Sequence, residues 1–195
     1  MISCAESVEL VRRAKQDGVR VTCGVSINNL TLNENDVGEY RTFCKVTPPL
    51  RHEDDRLAMV AALAEGVIDV VVSDHDPQDV ETKRQPFSEC ADGALGIETM
   101  LSAAQRLVPA GQIGLPQLLA ALSARPAALI GLSAGRLAIG APADLVLFDP
   151  EAPFVVDKRK LKSRAKNSPF DEARLEGIVA ATFVGGRVAY EAEPG

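Results

Sequence analysis

The sequence predicts an α/β fold with parallel strands over residues 1–134, followed by a smaller β-rich segment over residues 135–195. Three observations predict it. Helical patterns alternate with β-branched apolar runs through the first part, in the order helix, strand, helix, strand. The run Ile68-Asp-Val-Val-Val-Ser73 is almost unbroken Val/Ile, as expected of a strand covered on both faces. Beyond residue 135 the texture changes to short strands and turns, ending in two apolar runs joined by Gly185-Gly186.

Each element has its own warrant. Ser7 to Gln16 places Val8, Leu10, Val11 and Ala14 at helical spacing, with Ser3 as N-cap, Glu6 three residues on and Gly18 as a stop. Val19 to Ile27 is β-branched and apolar, a strand, and the Asn-rich stretch Asn28 to Glu39 reads as a long loop. Phe43 to Val46 is short and apolar and ends at Pro48-Pro49. Glu53 to Ala64 is an amphipathic helix with acidic residues in its first turn and Gly66 at its end. After Asp74 a polar loop runs to about Gly93. Helices follow over Gly96 to Leu107, Leu115 to Ala121 and Pro126 to Gly131. Strands are expected over Ala143 to Phe148, Phe154 to Val156, Ile178 to Val184 and Arg187 to Tyr190, the last two as a hairpin.

Composition excludes several classes of function. Forty-six per cent hydrophobic and 25% charged residues is globular, and no apolar run approaches the ~20 residues of a membrane-spanning helix. A net charge of −6 disfavours nucleic acid or an anionic membrane as partner, and 4% aromatics without Trp leaves no stacking platform for single strands. The first residues show no basic stretch leading into an apolar one, so the cytoplasm is the expected location. Cys4, Cys23, Cys44 and Cys90 contain no C-x-x-C pair and read as small, reduced, buried residues. With only His52 and His75, imidazoles are scarce for a metal site.

The chemistry-bearing candidates gather around Ser73-Asp74-His75-Asp76-Pro77, at the C-terminal end of the strongest strand. Active sites of α/β folds are built at that edge, because side chains there project into the crevice. A carboxylate in that place serves as metal ligand or general base. An equally weighted alternative is that Asp74 and Asp76 cap the following loop. His75 alone reads as structural, and His52 as a solvated helix start. In Lys45-Val-Thr-Pro-Pro-Leu-Arg51 the Pro-Pro turn fixes the direction of Arg51, which suits a carboxylate; positioning the next helix explains it as well. The basic run from Lys158 to Lys166 reads as solvated surface.

At these residues a family becomes recognisable. Val-Ser-Asp74-His75-Asp-Pro, Pro-Pro-Leu-Arg51, Pro86-Phe87 leading to Gly93-Ala-Leu-Gly96-Ile-Glu98-Thr, Pro142-Ala-Asp144-Leu-Val-Leu-Phe148, and Asn167-Ser-Pro-Phe170 resemble, in order and spacing, the class I dihydroorotases. These are cyclic amidohydrolases within the metal-dependent amidohydrolase superfamily. The resemblance covers nearly the whole chain but only the C-terminal half of such an enzyme. It implies the last part of a distorted (β/α)8 barrel, with Val21 to Val25 as strand seven and Ile68 to Ser73 as strand eight, plus part of a composite sandwich. A closed barrel takes ~250 residues, so residues 1–134 form an incomplete one.

The resemblance further implies zinc as cofactor and reversible interconversion of dihydroorotate and carbamoyl-aspartate in pyrimidine synthesis. Asp74 is then both metal ligand and proton shuttle, and Thr47, Arg51, Gln78, Phe87 and Gly93 fall at substrate-binding positions. Departures are equally informative. The family's other metal ligands precede this chain, and Met1 stands at the strand-six His. Asn28 and Asn29 stand where many members have a His pair. Thr47 replaces an Asn and Gln78 a His. A single carboxylate cannot hold a catalytic zinc, so the chain is expected to be truncated and inactive alone, and to form homo-oligomers or aggregate through open strand edges. The alternatives are a non-catalytic dihydroorotase-like subunit supporting aspartate transcarbamoylase, and a hydantoinase- or allantoinase-type enzyme.

Overall fold

The computed structural model describes residues 1–192. Helix α1 (Ala5–Gln16) buries Val8 and ends before Gly18, whose φ of 77° is the left-handed turn that stops a helix. Its N-cap is Cys4, which makes no side-chain cap bond. Ser3, the cap expected from sequence, lies one residue outside and accepts a hydrogen bond from Arg51 Nε at 3.4 Å. The strand expected over 19–27 shrinks to β1 (Gly24–Ser26). Val19 donates its amide back to Ala14 O at 2.9 Å and is exposed, so the apolar character before residue 23 does not become sheet.

The Asn-rich stretch is not a plain loop. Ser26 caps a short helix α2 (Ile27–Thr31) by accepting from the Asn28 amide, and Asn33 forms a capping box with Asp36 over a 3-10 turn at Glu34–Val37. A second 3-10 turn occupies Thr42–Cys44. Polar residues that look like loop in a sequence act here as caps. Helix α3 (Glu53–Ala64) has the expected bounds, with three acids in its first turn and His52 as an exposed cap accepting from Asp54 N.

Strand β2 (Val70–Val72) then pairs parallel to β1, with Gly24 opposite Val70, Val25 opposite Val71 and Ser26 opposite Val72. A Cβ on Gly24 would lie 2.9 Å from Val70 Cγ2, so the glycine permits this close pairing. Helix α4 (Val80–Lys83) follows. The helix expected from Gly96 begins only as α5 (Met100–Gln105), because Gly96 is used in a close main-chain approach described below. Helices α6 (Leu115–Leu119) and α7 (Arg125–Leu129) form one helical run through a π turn at Ala120–Ala124. The π turn falls just before Pro126, whose missing amide interrupts the α ladder in any case.

The last elements are β3 (Leu145–Val155), β4 (Arg174–Val184) and β5 (Arg187–Glu191), an antiparallel sheet in the order β3-β4-β5. The two strands expected over 143–156 are a single one, since register shifts between Leu147 and Phe148 and between Asp149 and Pro153 absorb the irregularity, the latter leaving Pro150-Glu151-Ala152 out of the pairing. Gly185 and Gly186, at φ 55° and 76°, make the two-residue hairpin turn.

One apolar core joins the two parts. Ile27, Leu30, Met59, Leu63, Ile68 and Leu118 pack with Val156, Phe170 and Leu175. Each fully buried side chain of this size contributes roughly 1.5–3 kcal/mol. Ser102 Oγ on α5 donates to Gly177 O on β4 at 2.6 Å, and a Cβ on Gly177 would meet the Phe148 ring at 2.5 Å. Among the described residues, β1 and β2 each have a single strand neighbour.

Candidate active site

The parallel register of β1 and β2 brings their C-terminal ends together. Asp74 lies two residues past the end of β2, and its φ of 49° is unusual for a residue with a side chain. Its Oδ2 accepts from Ser26 Oγ at 2.8 Å, and Oδ1 has no hydrogen-bond partner among the described residues. A half-buried carboxylate is thus held by one hydroxyl with one oxygen still available.

Beside it the chain is clasped by residues 93–97. Asp76 N donates to Ala94 O at 2.8 Å, and His75 and Ala94 form a parallel bridge. The amides of Gly96 and Ile97 both donate to His75 Nδ1, at 3.2 and 3.4 Å, which fixes the imidazole as a structural acceptor. Gly96 passes so close that a Cβ would fall 1.9 Å from Ser73 O, and a Cβ on Gly93, whose φ is 120°, would fall 2.5 Å from Asp76 Oδ2. Asn167 closes the clasp from far along the chain. Its buried amide donates to Asp76 O and Gly93 O, both at 3.1 Å, and accepts from Gln78 N at 3.2 Å.

The expected substrate positions divide among three places. Gly93 and Gln78 belong to this clasp, where Gln78 Nε2 donates to Asp76 Oδ1 at 2.8 Å. Thr47 and Phe87 line a cavity of about 450 Å³ together with Tyr40 and Asp92. There Thr47 Oγ1 donates to Asp92 Oδ2 at 2.7 Å, while Tyr40 and Lys45 Nζ each sit 5.9 Å from the Phe87 ring. Arg51 is exposed and turned to Ser3 near the start of α1. Asn28 and Asn29 are buried, Asn29 Nδ2 donating to Pro49 O at 2.8 Å, while both side-chain amide atoms of Asn28 lack partners among the described residues.

The donor set does not fit a metal ion by itself. Among the described residues no group of three His, Cys, Asp or Glu is placed to hold one. His75 commits Nδ1 to main-chain amides, so Asp74 is the strand-end donor this chain offers. No helix of the described residues is long and apolar enough to cross a membrane.

Sequence reasoning missed Ser26, Lys83 and the role of Asn167. The parallel register was the signal for Ser26, since it sits opposite Val72 and so beside the residue two positions further on. Asn167 stood inside a recognised motif without an assigned contact. Lys83 lay in a segment read as polar loop, and nothing local marked it as buried.

Parallel strands ending in a carboxylate, backed by helices and joined to an antiparallel sheet, are the arrangement expected of part of an amidohydrolase-type barrel with its attached sheet. The Amidohydrolase family model matches residues 2–189, and the chain belongs to that family, whose members are metal-dependent enzymes. Among curated proteins it is 41% identical over 192 residues to the dihydroorotase of Anaplasma phagocytophilum (strain HZ), covering 98% of this chain and 43% of that protein. It is likewise 41% identical over 191 residues to the dihydroorotase of Thermoanaerobacter sp. (strain X514), covering 97% and 44%. Among solved structures, the L-hydantoinase (dihydropyrimidinase) from Arthrobacter aurescens superposes with a TM-score of 0.92 at 31% identity, over 97% of this chain and 44% of that one. The chain therefore spans less than half the length of the relatives it matches, and its fold is the corresponding part of a barrel with an attached sheet.

Proposed function

We propose that the chain supplies the C-terminal part of a dihydroorotase active centre, which opens dihydroorotate to N-carbamoyl-aspartate and closes it again. The observation that carries this reading is the Asp74 carboxylate at the end of β2, steadied by Ser26 and with Oδ1 available. In this role Asp74 takes the proton from the attacking water and returns it to the departing ring nitrogen, while the Ser26 hydroxyl keeps the carboxylate in register. Zinc is the metal we assign to the complete centre, with Asp74 as one ligand and the other donors outside the described residues. Residues 1–134 then form the barrel share and 135–195 the sheet share, in a cytoplasmic enzyme. Arg51 would hold a substrate carboxylate, and Thr47, Gln78, Phe87 and Gly93 would border the ring.

The greater identity to dihydroorotases than to the hydantoinase favours this substrate over hydantoins. The test is turnover of dihydroorotate by the protein purified from its source cells, compared with an Asp74→Asn variant. Loss of a positioned acid–base group lowers kcat by about 10²–10⁴-fold; equal rates would remove Asp74 from the reaction. The 195 residues on their own are expected to show no turnover above an Asp74→Ala control.

One observation favours a second reading. Thr47 and Gln78 spend their hydrogen-bonding groups on Asp92 and Asp76, as a subunit relieved of catalysis would. A native protein that is inactive on dihydroorotate yet co-purifies with aspartate transcarbamoylase would establish that reading instead.

A further inference from the structure

Lys83 is withdrawn from solvent, at 4% exposure, yet no carboxylate lies within ion-pair distance of it among the described residues. Its ammonium is satisfied by main chain alone. Nζ donates to Ala91 O at 2.7 Å, Thr42 O at 3.0 Å and Lys45 O at 3.3 Å, which uses all three of its protons. A buried cation without a carboxylate is costly unless its protons are hydrogen-bonded, and here each proton has its own carbonyl, so the ammonium draws three separate pieces of main chain to one point. Burial pushes its pKa down, and the titratable groups facing it are Cys90, Asp92 and Asp76, which oppose that shift, and Lys45, which adds to it.

The surroundings show what the ammonium joins. Thr42 Oγ1 returns a hydrogen bond to Lys83 O at 2.7 Å, Gly93 N donates to Lys45 O at 2.9 Å, and Ala91 N donates to Thr82 O at 3.3 Å. Lys45 Nζ reaches over to Cys90 O at 2.7 Å. The stretches 42–47 and 90–93 are therefore tied to each other and to α4 through one charged hub. Those stretches carry Thr47, Asp92 and Gly93, and Phe87 sits on the loop between α4 and Cys90.

We infer that Lys83 is a positioning residue for substrate binding, its ammonium locking 42–47 against 90–93 so that Thr47, Phe87 and Gly93 keep fixed places around the ligand. What those residues bind rests on the dihydroorotase reading above; the lock itself does not. A methionine at this position would fill the space, leave Ala91 O without a donor among the described residues, and reduce Thr42 O and Lys45 O to the single main-chain amides of Lys45 and Gly93. An arginine's planar fork does not match three acceptors converging on one nitrogen.

The test uses the native protein with Lys83→Met and, as a milder change that leaves the lysine in place, Thr42→Val. Amide hydrogen exchange at Ala91 and Gly93 is expected to rise at least about tenfold in Lys83→Met and less in Thr42→Val, with the amides of Met59 and Val60 in α3 unchanged. KM for dihydroorotate is expected to rise about fivefold or more while kcat changes less than about twofold, because uniform binding rather than chemistry is lost. Unchanged exchange at Ala91 and Gly93 overturns the lock. Raised exchange with an unchanged KM overturns its role in binding. An inactive wild type removes the dihydroorotase reading, and Lys83 is then decided by exchange alone; if Lys83→Met does not fold, Thr42→Val decides the same two questions.

Discussion

The clasp around residues 73–97 and the sheet of β3, β4 and β5 are built on opposite principles. In the clasp, main-chain groups meet at distances only glycine allows, and buried polar side chains from remote positions satisfy the carbonyls. In the sheet, regular antiparallel pairing does the work and the side chains are largely free, to the point that every residue of β5 is exposed. Val146, Leu147, Val184, Val188 and Tyr190 all show apolar surface there. The first region tolerates little change and carries the candidate chemistry. The second keeps its shape through backbone pairing and presents surface.

The sharpest way to break that contrast is a methyl group. Gly96→Ala would drive Cβ into Ser73 O, and we expect a loss of about 3 kcal/mol or more in urea denaturation. Gly186→Ala, also at positive φ but with Ala143 Cβ 3.8 Å away, is expected to cost only about 1–2 kcal/mol. Equal losses would erase the distinction between the regions.

Asn167→Ala comes next. It removes three hydrogen bonds spanning up to 91 positions in sequence, leaves two carbonyls and an amide short of partners, and should cost about 2–3 kcal/mol. Amide exchange at Gln78 should rise with it, and unaltered protection there would show that the clasp closes without Asn167. On the sheet, Val188→Lys should change stability by no more than about 0.5 kcal/mol while reducing self-association in sedimentation, if the open apolar face drives it.

The smallest effect concerns pH. The Glu53 carboxyl at the start of α3 is held down to about 2 by the Arg56 guanidinium, with help from Asn33. A depressed carboxylate pKa adds stability that is present above its ordinary value near 4.5 and is lost as pH falls from there through about 2. Glu53 is partly exposed, so solvent screens much of the gain. Glu53→Gln should flatten the acid limb of the stability profile slightly; an unchanged limb would place the acid sensitivity elsewhere.

How much of this was legible beforehand differs between the two regions. Patterns with a short period were readable: the Val/Ile run of β2, the bounds of α3 and the Gly-Gly hairpin all follow from neighbours in sequence. The parallel alternation also gave the place of Asp74 correctly, at the end of β2. The extent of β1 was not readable, because β-branched residues before Cys23 look the same whether or not a partner strand reaches them. The hidden parts of the site have a common cause. Ser26 with Asp74, Lys83 with Thr42 and Asn167 with Asp76 are 48, 41 and 91 positions apart, and no local pattern encodes such meetings. A family motif can flag Asn167 without saying what it touches.

The imidazole next to Asp74 has a final consequence. With Nδ1 receiving two main-chain amides, a neutral His75 carries its hydrogen on Nε2 and has no lone pair left to offer. The ring beside the carboxylate is thus tied through Nδ1 to the main chain of residues 96 and 97, and the carboxylates of Asp74 and Asp76 are the oxygen acceptors on either side of it. The amides of Gly96 and Ile97 occupy as well as fasten: they keep a histidine in place for its shape while taking up the lone pair of Nδ1.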